Sequence, residues 1–132
     1  MIVLDTHALL WWVTGDGHFS SAARAAVKRE QAARGQVLVS AITAWEIAML
    51  VERGRLTLTM GVDEWLLAVE SIECVSLVPV TPRVAVQATR LPGEFHKDPA
   101  DRLIVALARE FNAPLVTADG KIRGYQYVKC IW

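Results

Sequence analysis

Two aspartates follow short apolar stretches of the chain, where their carboxylates could take part in chemistry. Asp5 comes directly after the run Met1–Leu4, and Asp119 comes after Leu115–Ala118. In open α/β sheets, ligands bind outside the carboxyl ends of the strands, so parallel strands would bring both carboxylates to one edge. Either residue alone could equally cap a helix or form a turn. Together they predict an acidic site at the end of a sheet.

Glu46 is the only charged residue in the stretch 40–51, which has helical periodicity. Ile42 and Met49 lie about one turn to either side of it, so its carboxylate falls within an apolar stripe. An unpaired carboxylate in such a place is destabilising or takes up a proton. We therefore expect Glu46 to point inward, toward a cation, a cluster of donors or a water-filled cleft. The alternative is an ion pair with an arginine such as Arg102.

Asp98 and Asp101 stand at the start of another predicted helix. Asp98 has a full structural explanation as its N-cap, because Pro99 follows at the first helical position. Asp101 shares its helix face with Ile104 and Val105, which would place its carboxylate at the inner rim of the sheet. Both aspartates are candidates for one position in the site, and we favour Asp101.

Carboxylates that converge in one cleft would repel one another and raise one another's pKa values unless cations neutralise them. Oxygen ligands without His or Cys in ligand spacing favour Mg²⁺ or Mn²⁺ over Zn²⁺. Mg²⁺ commonly shares its coordination shell with phosphate oxygens, and such ions activate water for in-line attack on phosphorus. The acidic residues therefore predict metal-dependent hydrolysis of phosphodiester bonds.

The elements that must position these residues are strands that alternate with helices. Five apolar runs rich in Val, Ile and Leu predict strands: Met1–Leu4, Gln36–Val39, Cys74–Val80, Pro114–Thr117 and Tyr127–Ile131. Helices are predicted between them: Ser20–Arg34, Ala41–Arg53, Val62–Ser71, Pro82–Arg90 and Pro99–Asn112. This alternation predicts an α/β fold, a three-layer αβα sandwich whose mainly parallel sheet has about five strands. We expect a loop at Leu91–Lys97 and a single domain over residues 1–132.

The composition sets limits on the function. Of the 132 residues, 53% are hydrophobic and 21% are charged, which excludes a disordered chain. Fourteen basic and fourteen acidic residues cancel, so any attraction to nucleic acid must come from local patches. Cys74 and Cys130 have no metal-ligand spacing, and no apolar run approaches the ~18 residues of a membrane helix. Because no leader-like segment precedes the first strand, we expect a cytoplasmic protein.

Four stretches, in this order along the chain, resemble the motifs of PIN-domain ribonucleases and, within that family, of the VapC toxins of VapBC toxin–antitoxin modules. The stretches are Met1–Trp12, Val39–Ala48, His96–Ala108 and Leu115–Asp119. The resemblance implies a PIN-type αβα fold and an endoribonuclease that depends on Mg²⁺ or Mn²⁺. It places the acidic quartet on Asp5, Glu46, Asp101 and Asp119, with Asp98 competing for the third place. The metal ligands would be Asp5, Asp98, Asp101 and Asp119.

Other side chains near these acids are candidates for substrate binding or proton transfer. Thr6 and Thr117 stand where the family often has a hydroxyl residue, and we expect them to bind a carboxylate, a metal-bound water or phosphate. Arg102 could steady an acid or bind phosphate. His7 and His96 could act as general acids, although solvated or satisfied core histidines are the simpler expectation.

The sequence and the resemblance also suggest partners. RNA contacts would come from a local set of cations, namely Arg53, Arg55, Lys97, Lys121 and Arg123. The resemblance implies a homodimer and a VapB-like antitoxin, whose C-terminal segment covers an apolar groove and directs a basic side chain toward the acids. Trp11 and Trp12 would point about 100° apart on a helix, so a second chain could cover one of them. We expect Trp45 and Trp65 in the core.

Two other classes of protein explain part of the pattern. A catalytically inactive PIN-like binding module, in which the aspartates are helix caps, leaves Glu46 without a partner. An aspartyl-phosphate phosphotransfer protein also carries Asp after parallel strands. A phosphatase of that kind would have a second Asp where His7 stands, and a receiver would have a phospho-accepting Asp after a middle strand, where Ser40 and Thr81 stand. We rank ribonuclease first and phosphotransfer last.

Overall fold

The computed structural model covers the whole chain, Met1–Trp132, and its centre is a sheet of five strands. The strands are β1 (Ile2–Leu4), β2 (Val37–Ser40), β3 (Val75–Val78), β4 (Leu115–Val116) and β5 (Cys130–Ile131). Their order is β3-β2-β1-β4-β5, and every neighbouring pair is parallel. The carboxyl ends of all five strands therefore share one edge, the carboxyl edge, and their amino ends share the opposite amino edge.

Seven helices surround the sheet. They are α1 (Thr6–Thr14), α2 (Ser21–Ala32), α3 (Ala41–Glu52), α4 (Val62–Glu70), α5 (Pro82–Thr89), α6 (Pro99–Glu110) and α7 (Gly120–Arg123). Buried side chains of α1, α2 and α4 form one core with the sheet, and those of α5, α6 and α7 form a second core on its other face. Helix α3 contributes Ile47 to the first core and packs Ile42 against the second. The predicted three-layer αβα sandwich is confirmed.

Cover on both faces explains the continuous apolar run of β1. Ile2 and Leu4 belong to the first core and Val3 to the second, and all three are buried. On β2 the alternation repeats, with Leu38 in the second core. A strand covered on both faces needs an apolar residue at every position. The two cores together hold β1 at the centre of the molecule.

Helices α1 and α6 both begin at the carboxyl edge with an acidic cap. The Asp5 carboxylate accepts a hydrogen bond from the Ala8 amide at 2.9 Å, and the Asp98 carboxylate accepts one from the Asp101 amide at 3.0 Å. Such caps pair amides that the helix itself leaves unpaired. The predicted capping roles of Asp5 and Asp98 are confirmed, and they fix both carboxylates beside the strand ends.

Every predicted strand and helix is present, with small differences at the ends. The shortest relative to prediction is β5, which covers only the last two residues of Tyr127–Ile131. Leu91–Lys97 is a loop, as predicted. Two helices lie outside the predicted ranges. Helix α1 enters the prediction only as a helix that Asp5 could cap, and the start of α7 has the composition of an ordinary turn. Asp119 begins it by accepting hydrogen bonds from the amides of Lys121 and Ile122 at 2.8 and 3.1 Å.

Two expectations from the composition can be compared with the fold. None of the seven helices combines the length and the apolar content that a membrane span needs. Cys74 and Cys130 are both free, so neither forms a disulfide.

Candidate active site

The predicted acidic residues meet in one cleft at the carboxyl edge. Its volume is ≈ 210 Å³ and no hydrophobic residue lines it; the lining residues are Asp5, Thr6, His7, Glu46, Asp98, Asp101 and Asp119. The five carboxylates come from the end of β1, from α3, from the start of α6 and from the residue before α7. All five acidic candidates from the sequence are therefore brought together.

Asp5 is the most buried of the five carboxylates, with 7% of its surface exposed. One oxygen accepts from the Ala8 amide, and the other accepts from the Thr117 hydroxyl. Burial raises the pKa of Asp5, while the hydrogen bonds from Thr117 and Ala8 oppose that rise. Each carboxylate oxygen can accept a second bond. Asp5 is thus a rigidly held acceptor with capacity left for a ligand.

Glu46 is half-buried, and its side-chain neighbours are hydroxyl groups rather than lysine or arginine. The Thr6 hydroxyl donates to Glu46 Oε1 at 2.5 Å, and it also lies 3.0 Å from the Thr43 hydroxyl. Burial raises the pKa of Glu46; the bond from Thr6 opposes this, and the negative charges of Asp98 and Asp5 add to it. The structure therefore places Glu46 in the cleft, as its position in the helix predicts.

Asp101 has a strongly perturbed acidity. Burial, followed by the charges of Asp98, Asp119 and the other carboxylates of the cleft, raises the pKa of Asp101 to about 7. The ring atom Nε2 of His96 lies 3.0 Å from Asp101 Oδ2. That nitrogen is buried and has no hydrogen-bond partner, so the pair is in contact without the alignment of a hydrogen bond. His96 is thus neither a solvated nor a satisfied histidine, contrary to the simpler expectation.

Asp98 and Asp119 lie at the mouth of the cleft, where both are exposed. The Asp119 amide donates to the Thr117 hydroxyl at 3.0 Å, and the Thr117 hydroxyl donates in turn to Asp5. Thr117 therefore links the ends of β1 and β4 through one oxygen. The prediction that Thr6 and Thr117 hydrogen-bond to carboxylates is confirmed at both residues.

Arg102 binds backbone carbonyls rather than an acid. Its Nε donates to Ala88 O at 2.8 Å, and its Nη1 donates to Phe95 O and His96 O at 3.0 and 3.2 Å. The alternative in which Arg102 pairs with Glu46 is wrong, because the guanidinium forms no ion pair with any carboxylate. A cation suits the unpaired carbonyls at a helix end, and it holds the loop before α6 against α5. The predicted role in substrate binding gains no support from this arrangement.

The donor set of the cleft suits a hard divalent cation. No lysine or arginine forms an ion pair with any of the five carboxylates. Carboxylate and hydroxyl oxygens are the ligands that Mg²⁺ and Mn²⁺ prefer. No group of three or more acidic, histidine or cysteine side chains has the arrangement of a directly ligating centre. The cleft therefore fits such a cation by the chemistry of its oxygen donors, without presenting a ready set of three side-chain ligands.

An apolar groove of ≈ 410 Å³ adjoins the acidic cleft, between α3 and the start of α6. Its lining residues are Ile42, Trp45, Glu46, Met49, Asp98, Pro99 and Ala100. The predicted burial of Trp65 is confirmed at 5% exposure, but that of Trp45 is wrong, since 58% of its surface is exposed. Helix α3 turns Thr43 and Ile47 toward the protein. The apolar stripe around Trp45 lines the groove instead.

Sequence reasoning missed one residue of the site and misjudged another. Thr43 is fully buried and contacts the Thr6 hydroxyl; its position one turn before Ile47, on the buried side of α3, is the signal that could have found it. His96 lies beside Asp101 in a loop that Arg102 and Tyr125 hold in place. No local pattern in the sequence indicates that contact.

The fold and the acidic cleft together define a class of protein. The family model for the PIN domain matches residues 2–126, which is nearly the whole chain. The chain belongs to the PIN domain family. The resemblance drawn from four sequence motifs is confirmed, and the phosphotransfer alternative is contradicted.

Individual relatives are similar over almost their full lengths. The chain is 37% identical over 126 residues to Ribonuclease VapC22 of Mycobacterium tuberculosis, covering 96% of this chain and 92% of that protein. VapBC2 from Rickettsia felis, solved bound to a DNA fragment from its promoter, matches with a TM-score of 0.71, 16% identity and coverage of 98% and 97%. VapC20 of Mycobacterium tuberculosis, a sarcin–ricin loop cleaving toxin, matches with a TM-score of 0.63, 20% identity and coverage of 98% and 99%. These structural matches support the fold.

Proposed function

We propose that this chain is an endoribonuclease that hydrolyses RNA phosphodiester bonds with Mg²⁺ or Mn²⁺, and that it acts as the toxin of a toxin–antitoxin pair. The observation that carries the proposal is the cleft in which five carboxylates meet without a lysine or arginine partner. The 37% identity to a ribonuclease supports RNA as the substrate. The position of the cleft at the carboxyl edge suits ligand binding in an open α/β sheet.

The residues that would hold the cation, directly or through bound water, come from three segments and are Asp5, Asp98, Asp101 and Asp119. When bound, it would neutralise these carboxylates, polarise the phosphate and lower the pKa of a water molecule. Asp5 is fixed through both oxygens by Thr117 and Ala8, so it offers its remaining lone pairs in one orientation. Because two of the aspartates are exposed at the mouth, a phosphate group can approach from solvent.

Glu46 is the candidate proton acceptor for the attacking water. Its Oε1 is engaged by Thr6, which leaves Oε2 for a water molecule in the cleft. A raised pKa suits a carboxylate that takes up a proton during the reaction and releases it afterwards. The water oxygen bonds to phosphorus, its proton passes to Glu46, and the bond from phosphorus to the leaving oxygen breaks. The leaving oxygen then takes up a proton from solvent water, and Glu46 releases its proton to solvent.

RNA would be held around the cleft by lysine and arginine side chains. The predicted set is exposed throughout and takes part in no ion pair; its members are Arg53, Arg55, Lys97, Lys121 and Arg123. Lys97 directly precedes Asp98, and Lys121 lies in α7 beside Asp119, so these two cations flank the acids. Contacts between cations and phosphates provide affinity that does not depend on base sequence.

The nuclease proposal is tested by incubating the purified chain with RNA in the presence of Mg²⁺, Mn²⁺ or a chelator. We expect cleavage with either ion and none with the chelator. Asp5→Asn should abolish cleavage, whereas Glu52→Gln, which changes an exposed acid of α3, should retain it. Cleavage that persists with the chelator or in Asp5→Asn would contradict the proposal, and a folded chain that binds RNA without cutting it would favour the inactive binding module.

An antitoxin would bind where the apolar groove meets the acidic cleft. The two share Glu46 and Asp98, so an apolar segment lying in the groove could direct a basic side chain among the carboxylates. That cation would replace the metal and exclude RNA at the same time. Co-expression with the adjacent open reading frame tests this part: its product should copurify and suppress cleavage. A product that does neither removes the toxin–antitoxin assignment.

A homodimer is the further assembly that we propose. Trp11 and Trp12 are only half-buried in the single chain, and Trp11 packs against the half-buried Trp132 with ring centroids 5.6 Å apart. Aromatic surface of this kind is typical of association sites. Sedimentation at micromolar concentration should show a dimer, and a monomer there would remove this part of the proposal.

A further inference from the structure

The loop Leu91–Lys97, which lies between α5 and α6, is held by side chains from outside it. Arg102 donates two hydrogen bonds to the carbonyls of Phe95 and His96, and the Tyr125 hydroxyl donates to Pro92 O at 2.5 Å. The ring of Phe95 packs against that of Tyr125, with centroids 4.7 Å apart. A loop without regular structure is thus fixed at three of its residues. This fixation determines where the His96 ring lies.

The His96 ring is held over the carboxylate of Asp101. Its Nε2 is buried, lies 3.0 Å from Asp101 Oδ2 and makes no aligned hydrogen bond with any group. The ring packs against Phe95 with centroids 4.4 Å apart. Arg102, which binds the His96 carbonyl, is the next residue after Asp101, so the histidine and the aspartate are fixed relative to each other by one side chain. A buried donor without a partner is costly, and Asp101 Oδ2 is the acceptor within reach.

We propose that His96 is a positioning residue whose Nε2–H orients the Asp101 carboxylate toward the acidic cleft. The inference rests on the proposed function, because its purpose is to present Asp101 to the cation. Carboxylates that ligate metals are commonly hydrogen-bonded in turn by a second group, and loss of that group weakens metal binding. Arg102 then acts one step further out, because it holds the backbone that carries His96.

A second histidine–aspartate pair in the molecule provides a control. His18 Nδ1 lies 2.6 Å from Asp16 Oδ1, but the His18 side chain is 75% exposed, against 22% for His96. Neither His18 nor Asp16 lines the acidic cleft. The same change at the two histidines therefore separates an effect on the cleft from a general effect of losing an imidazole.

The experiment measures the Mn²⁺ concentration that half-saturates the rise in melting temperature, beside RNA cleavage by the same samples. His96→Leu removes the N–H donor, and His96→Asn keeps a donor on a side chain too short to reach Asp101. Each should raise that Mn²⁺ concentration ~10–100-fold and lower cleavage in parallel. His96→Gln, which keeps a side-chain N–H donor, should remain close to wild type. His18→Leu should leave both quantities unchanged.

The outcomes separate this inference from the proposed function. A wild-type chain that neither binds Mn²⁺ nor cleaves RNA overturns both. If the wild type binds Mn²⁺ and cleaves RNA but His96→Leu needs no more Mn²⁺ for half-saturation, the positioning role alone is overturned. The same holds if His96→Gln is impaired as much as His96→Leu. Should both loss variants fail to fold, ¹⁵N NMR of the wild type decides: Nε2 should carry a proton and shift on Asp101→Asn, and an unprotonated Nε2 overturns the inference.

Discussion

The two edges of the sheet differ in whether their acidic residues have basic partners. At the amino edge two acids are paired with cations: the Met1 ammonium lies 2.8 Å from Glu30, and Arg83 lies 3.0 Å from Glu110. At the carboxyl edge five carboxylates share a cleft without a lysine or arginine partner. Charges that neutralise each other contribute to stability, whereas charges left unneutralised are available to a ligand.

Cavity size alone would favour the edge opposite the acidic cleft. A cavity of ≈ 740 Å³ opens near the amino edge, where Arg109 and Lys129 are among its lining residues, while the acidic cleft measures only ≈ 210 Å³. In the larger cavity Arg109 is already engaged, since its Nη1 donates to Tyr127 O at 2.6 Å. The convergence of five acids without a lysine or arginine partner therefore indicates the candidate site better than volume does.

The strongest way to break this contrast is to remove one carboxylate from the cleft. Asp101→Asn should lower RNA cleavage ~100-fold or more, while the melting temperature of the metal-free protein stays level or rises, because the neighbouring like charges are relieved. Glu110→Gln at the amino edge should leave cleavage unchanged. If Asp101→Asn instead lost stability and kept full metal-dependent cleavage, Asp101 would be only a favourable charge at the start of α6.

A smaller effect should follow from removing the hydroxyl that holds Asp5. Thr117→Val keeps the shape of the side chain but deletes its donor, and it should lower the free energy of unfolding at neutral pH by ~1–3 kcal/mol. Thr89→Val is the matched control, because the Thr89 hydroxyl donates to Val86 O at an exposed position. Equal losses in the two variants, measured by denaturant unfolding, would show that Thr117 does not support the carboxylate.

The pH dependence of stability should differ with and without a cation. The pKa of Asp101 rises from its ordinary value of 3.8 to about 7 on folding, so the folded state holds a proton across this interval that the unfolded state has lost. Stability of the metal-free protein should therefore fall as pH increases from about 4 to about 7. Saturating Mn²⁺ should oppose that fall, because it binds the ionised carboxylates. A melting temperature that rises with pH over this window without metal would contradict the assignment.

The smallest effect is expected at the amino edge. Glu110→Gln removes one partner of an ion pair that is largely exposed at Arg83, and such pairs contribute at most about 1 kcal/mol. Its melting temperature should be nearly that of the wild type and should respond to salt less than the wild type does. A large fall in the melting temperature of Glu110→Gln would mean that ion pairs at the amino edge contribute more to stability than we expect.

The sequence was sufficient for the architecture because the three central strands, β1, β2 and β4, are buried on both faces. The unbroken apolar run of β1 and its counterparts on the other strands leave few alternatives to a parallel sheet. Two of the acids could be placed at one edge for the same reason, since Asp5 directly follows β1 and Asp119 comes shortly after β4. A sequence pattern predicts well where a residue lies along a helix or strand and which residue follows its end.

The expectations for Trp45 and Arg102 fail because each sequence pattern has more than one physical outcome. The stripe of α3 that contains Trp45 and Glu46 was assigned to the interior, yet Trp45 lines a groove open to solvent. Periodicity shows that a stripe exists but not what covers it. For Arg102 the sequence leaves an acid and a phosphate open as partners, whereas the guanidinium binds the carbonyls of Ala88, Phe95 and His96, which come together only in the folded chain.

The bond between Thr117 and Asp5 joins residues separated by 112 positions in the chain, and it has a consequence for synthesis. During translation the N-terminal part of the chain, with β1 and Asp5, leaves the ribosome first. The central strand β1 therefore lacks its neighbour β4 until most of the protein has been made. Contacts this distant in sequence also form slowly. The growing chain therefore carries no finished cleft while it remains beside ribosomal and messenger RNA, and the chemistry proposed for it becomes possible only after translation of its last strands.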